Sequence, residues 1–271
     1  MTKAATRAYH DGWERIFGKQ PTSTIERQPE MTAMMESTPA NLIGAMFTIQ
    51  NALNTKSYDK AWIEKGKTEE FDYAMAAGDE AHEFLRSLPF QWWTKDKADR
   101  QNQVTEIVDA WHFVMSQYII DHNGNVDAAV AGAVDIHEKA KLFLQLEETV
   151  KKQAKLFVAA LYVHNTRHGE MAPGYVGYFF KLCEKAEISL DLLYARYLGK
   201  ATLNKFRVAN GYKQGTYKKI WELGGIKAED NYFLSSYVDT VLAAGGEFSE
   251  ENVQGYLEQA YSSMTAQTAT A

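Results

Sequence analysis

Glu80 and Glu83 stand three residues apart in DEAHEFL, and Glu106 and Asp109 stand three apart in TEIVDAWHF. Residues at i and i+3 share a helix face, so each pair would present two carboxylates in one direction. On two antiparallel neighbouring helices the four groups would converge. Mutual repulsion would then raise their pKa values unless a cation neutralised them. Carboxylate oxygens are hard ligands and select Mg²⁺ or Mn²⁺. By spacing alone the commoner reading is ordinary solvated acids, as most Glu and Asp on helices are. What argues otherwise is the company they keep: AWHFVM follows Asp109, and Phe84 and Leu85 follow Glu83.

The elements that must carry these acids read as helices. From Asn41 onward Leu42, Ala45, Met46, Ile49 and Leu53 recur at helical spacing, with Gln50 and Asn54 one turn apart on the same segment. Residues 68–88 form a second amphipathic helix, with Ala74, Ala77, Ala81, Phe84 and Leu85 toward a core, ended by Pro89. A third spans 101–121. Two long helices follow, at 126–165 with an interruption and at 173–198, and a last one lies at 249–263. Between Lys200 and Phe233 the chain turns rich in glycine, aromatics and cations, which suits a loop-and-short-helix ligand clamp. Residues 1–37 are expected to be an N-terminal arm, 38–265 a single all-α catalytic domain with 200–233 as a mobile block, and 266–271 a disordered tail.

Composition limits the function. The 271 residues carry a net charge of −6, which disfavours a nucleic-acid binder because such a domain needs a basic face. Five prolines and 18 glycines are too few for the turns of a large β-sandwich or barrel. The single cysteine, Cys183, excludes an internal disulfide framework and a multi-cysteine metal site and is expected to be a buried small residue. No long apolar run suggests a membrane span or a secretory leader, and the chain reads as cytoplasmic, from a bacterium or a phage-infected cell. DHNGNVD lacks the glycine and terminal glutamate of an EF-hand, His164 and His168 lack the glutamate of HExxH, and no GxxxxGK[ST] loop occurs.

Five pieces in fixed order sharpen this reading: QNALN (50–54), EAHE (80–83), FQWW (90–93), EIVDAWHF (106–113), and LNKFRVANGYKQGTYKKIW running to EDN (203–231). Together they resemble the all-α nucleoside triphosphate pyrophosphatase superfamily, in particular its dimeric dUTPase branch. The resemblance implies an all-α multi-helix bundle in which Glu80, Glu83, Glu106 and Asp109 hold catalytic Mg²⁺, or Mn²⁺. A cation there neutralises charge on phosphate oxygens and acidifies a bound water, and Glu80 or Glu83 would orient or deprotonate that water.

Lys200, Asn204 and Arg207, at spacings of four and three, together with Tyr212 and Lys219 across GYKQGTYK, are assigned by the resemblance to the phosphates. Gln50 and Asn54, which offer amide donors and acceptors, are assigned to the pyrimidine edge. Trp93 and Phe113 would contact base or sugar, and Asn231 the substrate. The implied activity is Mg²⁺-dependent hydrolysis of dUTP, and of dUDP, with attack at the β-phosphorus, giving dUMP and pyrophosphate from dUTP in a homodimer. Two alternatives stay open: a dCTP or modified-pyrimidine pyrophosphatase, since the two amides could flip to serve either base, and a non-catalytic helical interaction protein.

Overall fold

The computed structural model describes residues 38–59, 61–89, 98–142, 149–166, 174–246 and 248–269. The expected arm at 1–37 and the FQWW segment with Trp93 lie outside the described residues. Ten helices and one two-stranded hairpin make up the regular structure of the described part, an all-α architecture as expected. No helix in it is long and apolar enough to cross a membrane. The chain divides into two compact units, one ending at Ala201 and one running on from Thr202.

The first unit contains α1 (Pro39–Tyr58), α2 (Ala61–Lys67), α3 (Tyr73–Ser87), α4 (Arg100–Asp121), α5 (Val126–Leu142), α6 (Val150–Thr166), α7 (Gly174–Lys185) and the start of α8 (Leu190–Ala209). Side-chain caps set several of the starts. Thr38 accepts from the Asn41 amide ahead of Pro39, Asp72 from Met75, and Asp99 from Asn102, each satisfying a donor the helix cannot. The Asp72 cap explains why α3 begins at Tyr73 rather than at 68. Residues Thr68–Phe71 instead form a turn with Glu69 at φ 58°.

Helix α4 is the core of this unit. Fourteen of its side chains are buried, among them the polar Gln103, Glu106, His112 and Ser116. The α3 helix lies against it, and its Ala74, Ala77 and Ala81 are buried. Trp111 of α4 ties three helices together. Its ring stacks on Phe179 of α7 at 4.6 Å, meets Phe47 of α1 edge-on at 5.8 Å, and its Nε1 donates to the Met46 sulfur at 3.2 Å.

The buried face of α1 differs from the apolar stripe read from sequence. Ile43, Met46, Phe47, Gln50 and Asn54 are the buried residues, whereas Leu42, Ala45, Ile49 and Leu53 are only half-buried. Two amides sit on the inner face because hydrogen-bond partners await them there, and apolar periodicity cannot register that.

In the second unit the expected loop-and-short-helix segment contains an antiparallel hairpin, β1 (Ile220–Leu223) with β2 (Ile226–Glu229), in the register Ile220–Glu229 to Leu223–Ile226. Gly224 and Gly225, at φ 58° and 79°, make the two-residue turn whose twist matches a hairpin and which requires positive φ at both positions. Helices α9 (Asp230–Ala243) and α10 (Glu250–Ala269) complete the unit. Trp221 stacks on Phe233, and Tyr217 on Tyr261 at 5.2 Å.

Trp111→Ala would open a cavity at the junction of α1, α4 and α7. The expected loss is about 3–5 kcal/mol, read as a lower urea midpoint with an unchanged slope; a shift equivalent to under 1 kcal/mol would show that the ring is not the tie described.

Candidate active site

Helices α3 and α4 run antiparallel, since the Ser87 carbonyl accepts from the Asp99 amide and from Gln103 Nε2 at 3.2 Å, while Glu80, about two turns before Ser87, meets Glu106, one turn after Gln103. That register brings three of the four acids together. One ligand oxygen from each of Glu80, Glu83 and Glu106 lies within 4.8 Å of the others. Glu106 is buried, Glu80 half-buried and Glu83 exposed, so the group is open on one side. Asp109, one turn along from Glu106, places Oδ2 2.7 Å from Lys200 Nζ of α8.

Burial and crowding govern the charge of this group. Glu106 is pushed up to about 8, first by desolvation, then by the Asp109 charge and the hydrogen bond with Glu80. Glu80 is raised as well, by burial and by Asp109, with the Glu106 hydrogen bond and Lys200 acting against the rise. Glu106 is thereby driven toward its protonated form, which can donate to Glu80. An oxygen-only set that holds a proton for want of positive charge fits a hard divalent cation, which would take the proton's place.

Beside the acids lies a polar network joining α1, α4 and α8. His112 Nδ1 is 2.7 Å and Tyr197 Oη 3.1 Å from Gln50 Oε1. Gln50 Nε2 donates to Asn54 Oδ1 at 3.0 Å and to Ser116 Oγ at 3.2 Å, and Asn54 Nδ2 donates to Ser116 Oγ at 2.9 Å. Burial holds His112 down at about 4, so the ring is neutral at physiological pH. Its Nε2 has no hydrogen-bond partner among the described residues. Phe113 is half-buried and tilted against Tyr73, ring centroids 6.4 Å apart.

The second unit has its own charged cluster. Arg207 grips Asp230 with two parallel bonds, Nε to Oδ2 at 2.8 Å and Nη2 to Oδ1 at 2.6 Å, and its Nη1 reaches Asn204 Oδ1 at 3.3 Å. Tyr217 donates to the same carboxylate at 2.8 Å, and so does the Asn231 amide. Asp230 is fully buried; the guanidinium offsets its charge, and the paired geometry is the strong kind. Lys219 pairs with Glu229 at the surface, and Tyr212 is exposed.

A family model for dUTPase matches residues 42–212. This chain belongs to the dUTPase family. The matched span includes the four acids, Gln50, Asn54, Phe113, Lys200, Asn204, Arg207 and Tyr212, while Lys219 and Asn231 fall beyond it. No curated protein matches the chain.

Within this dUTPase the residues singled out by sequence fall into two groups. Glu80, Glu83, Glu106, Asp109, Lys200, Gln50, Asn54 and Phe113 belong to the first unit, and Asn204, Arg207, Tyr212, Lys219 and Asn231 to the second. Sequence reasoning missed Ser116, Tyr197, Tyr217 and Asp230, which hold members of these sets in place. Asp230 was within reach: it is the middle letter of EDN, and an acid embedded in an aromatic, cationic stretch invites a search for the arginine it pairs. His164, set aside as a zinc ligand, lies 3.2 Å from Asp121, which also accepts from Tyr175 at 2.6 Å. A cavity of about 400 Å³ lined by His137, Phe180, Cys183 and Leu193 contains none of the four acids and plays no part in the site.

Glu106 binds its proton with a pKa of about 8 in the folded chain against an ordinary 4.5. The folded state thus holds more protons than the unfolded one across that window, and stability falls as pH rises through it. Glu106→Gln keeps the shape and a donor toward Glu80 while removing the charge. In the presence of a chelator it should raise the melting temperature at pH 8 and change it little at pH 5, with about 2–4 °C for each kcal/mol recovered. An equal shift at both pH values would contradict this protonation of Glu106.

Proposed function

We propose that this dUTPase-family chain hydrolyses dUTP to dUMP and pyrophosphate, and accepts dUDP, at the cleft formed by α3 and α4. The observation that carries the reading is the convergence of Glu80, Glu83 and Glu106 within 4.8 Å inside the span matched by the family model. Glu80, Glu83, Glu106 and Asp109 would hold Mg²⁺, with Mn²⁺ as a substitute. The cation supplies neutralisation of phosphate charge and a water of lowered pKa.

The chain's own residues do the rest. Glu80 or Glu83 would orient the attacking water or take its proton. Lys200, 2.7 Å from Asp109, can exchange that carboxylate for a phosphate oxygen. Asn204, Arg207, Tyr212 and Lys219 serve the outer phosphates, and Arg207, already neutralised by Asp230, contributes directed N–H bonds more than net charge. Gln50 and Asn54 form the base-selecting pair, with Gln50 holding Asn54 in place, and Trp93, Phe113 and Asn231 receive the base and sugar. Residues 38–265 act as one catalytic domain, in a cytoplasmic homodimer.

A panel of deoxynucleoside triphosphates assayed for pyrophosphate release with and without Mg²⁺ tests the reading. dUTP should be the preferred substrate and turnover should require the cation. Glu80→Gln should lower kcat/KM by about 10²-fold or more with the fold retained by circular dichroism. Activity within threefold of the wild type would remove Glu80 from the catalytic set.

A further inference from the structure

The amide network fixes more than the positions of Gln50 and Asn54. It fixes which end of each amide points where. Ser116 Oγ lies 2.8 Å from the His112 carbonyl, which can only accept, so the single hydroxyl proton is spent there. The same oxygen is 3.2 Å from Gln50 Nε2 and 2.9 Å from Asn54 Nδ2. With its proton committed, it can only accept from both, and both contacts must be N–H donors. Asn54 Oδ1 then necessarily receives the other Gln50 N–H, and Gln50 Oε1 is left to accept from His112 Nδ1–H and Tyr197 O–H.

All of the Gln50 hydrogen-bonding capacity is consumed in this way. Asn54 retains one N–H and one lone pair, and the two cannot trade places. Turning the Asn54 amide would set its oxygen against the lone pairs of Ser116 and its nitrogen against that of Gln50. Turning both amides together would leave two oxygens facing the same Ser116 lone pairs. Mispaired polar atoms buried in this way, with Gln50 and Asn54 each 6% exposed and Ser116 not at all, forfeit their full desolvation cost.

We propose that Ser116 is a positioning residue for base selection: by fixing the polarity of the Gln50–Asn54 pair, with Gln50 spent on holding Asn54, it leaves the remaining N–H and lone pair of Asn54 in one fixed order, which serves a single pyrimidine edge, that of uracil on the reading above, and rejects cytosine. The two bases differ at this edge by exchange of donor and acceptor, O4 with N3–H against N4–H₂ with N3. An amide free to flip serves both, whereas a locked one serves one. The inference rests on the reading that the Gln50–Asn54 pair faces the base. It removes the expectation that these amides flip to accept either pyrimidine. Without the hydroxyl, both amides can reverse together if His112 changes tautomer, its Nε2 having no partner to lose among the described residues.

The test compares kcat/KM for dUTP and dCTP in the wild type, Ser116→Ala, Ser116→Cys and Ser116→Thr, all with Mg²⁺. In the wild type dUTP should be strongly preferred. Ser116→Ala should cut the dUTP:dCTP ratio at least tenfold, equivalent to about 1.4 kcal/mol of discrimination, mostly by raising turnover of dCTP. Ser116→Cys, which fills the site with a weak acceptor, should shift the ratio in the same direction and supplies the reading if the alanine variant does not fold. Ser116→Thr keeps the hydroxyl and should keep the ratio. A folded alanine or cysteine variant with the wild-type ratio would overturn the inference and leave the hydrolase reading standing, as would a wild type that turns over both nucleotides equally. A wild type without activity on any deoxynucleotide would overturn both.

Discussion

Glu80 and Glu106 meet between two packed helices, and two like charges about 4 Å apart repel by about 4 kcal/mol even at an effective dielectric constant of about 20. Burial of Glu106 adds to that cost. Both carboxyls are pushed toward protonation, and the charged half of the site is arranged around this constraint. Helix α3 packs on α4 closely enough for the acids to meet. Lys200 offsets Asp109 at 2.7 Å and so limits the negative field. The protein gives up stability in the uncomplexed state to keep an oxygen-lined position where positive charge is wanted, the pattern expected where function and stability compete.

The neutral half of the cleft works by the opposite logic. Around Gln50 and Asn54 there is no charge to balance, only donors and acceptors to match, and the burial of the network makes each mismatch expensive. Helix α4 serves both halves. It carries Glu106 and Asp109 on one stretch and His112 and Ser116 one and two turns on, so the spacing between the acids and the amide network is set by a single rigid element. That rigidity is secured by Trp111, whose contacts with α1 and α7 are made from the same helix.

The all-α class, the two acid-bearing helices and the family were legible from the order of five short motifs, because each motif combines chemistry with helical spacing. The inner face of α1 was not. Periodicity counts apolar residues, and it placed Leu42, Ile49 and Leu53 inward where the protein buries Gln50 and Asn54; only knowledge of Ser116 and Tyr197, 62 to 147 residues away in sequence, would have corrected it. The hairpin at 220–229 was missed although Gly224–Gly225 signalled a two-residue turn, because its four-residue strands are too short for alternation to stand out. Arg207 read as a free cation because its partner lies 23 residues away: EDN hinted that Asp230 needs a cation, but no spacing rule said which one.

The central claim is that a divalent cation takes the place of a proton held between Glu80 and Glu106. Calorimetric titration of Mg²⁺ into the protein at pH 7, repeated in buffers of different ionisation enthalpy, measures that exchange directly. With Glu106 at about 8, binding should release about one proton per cluster, and the release should disappear near pH 9. Binding with no proton release at pH 7 would contradict the account.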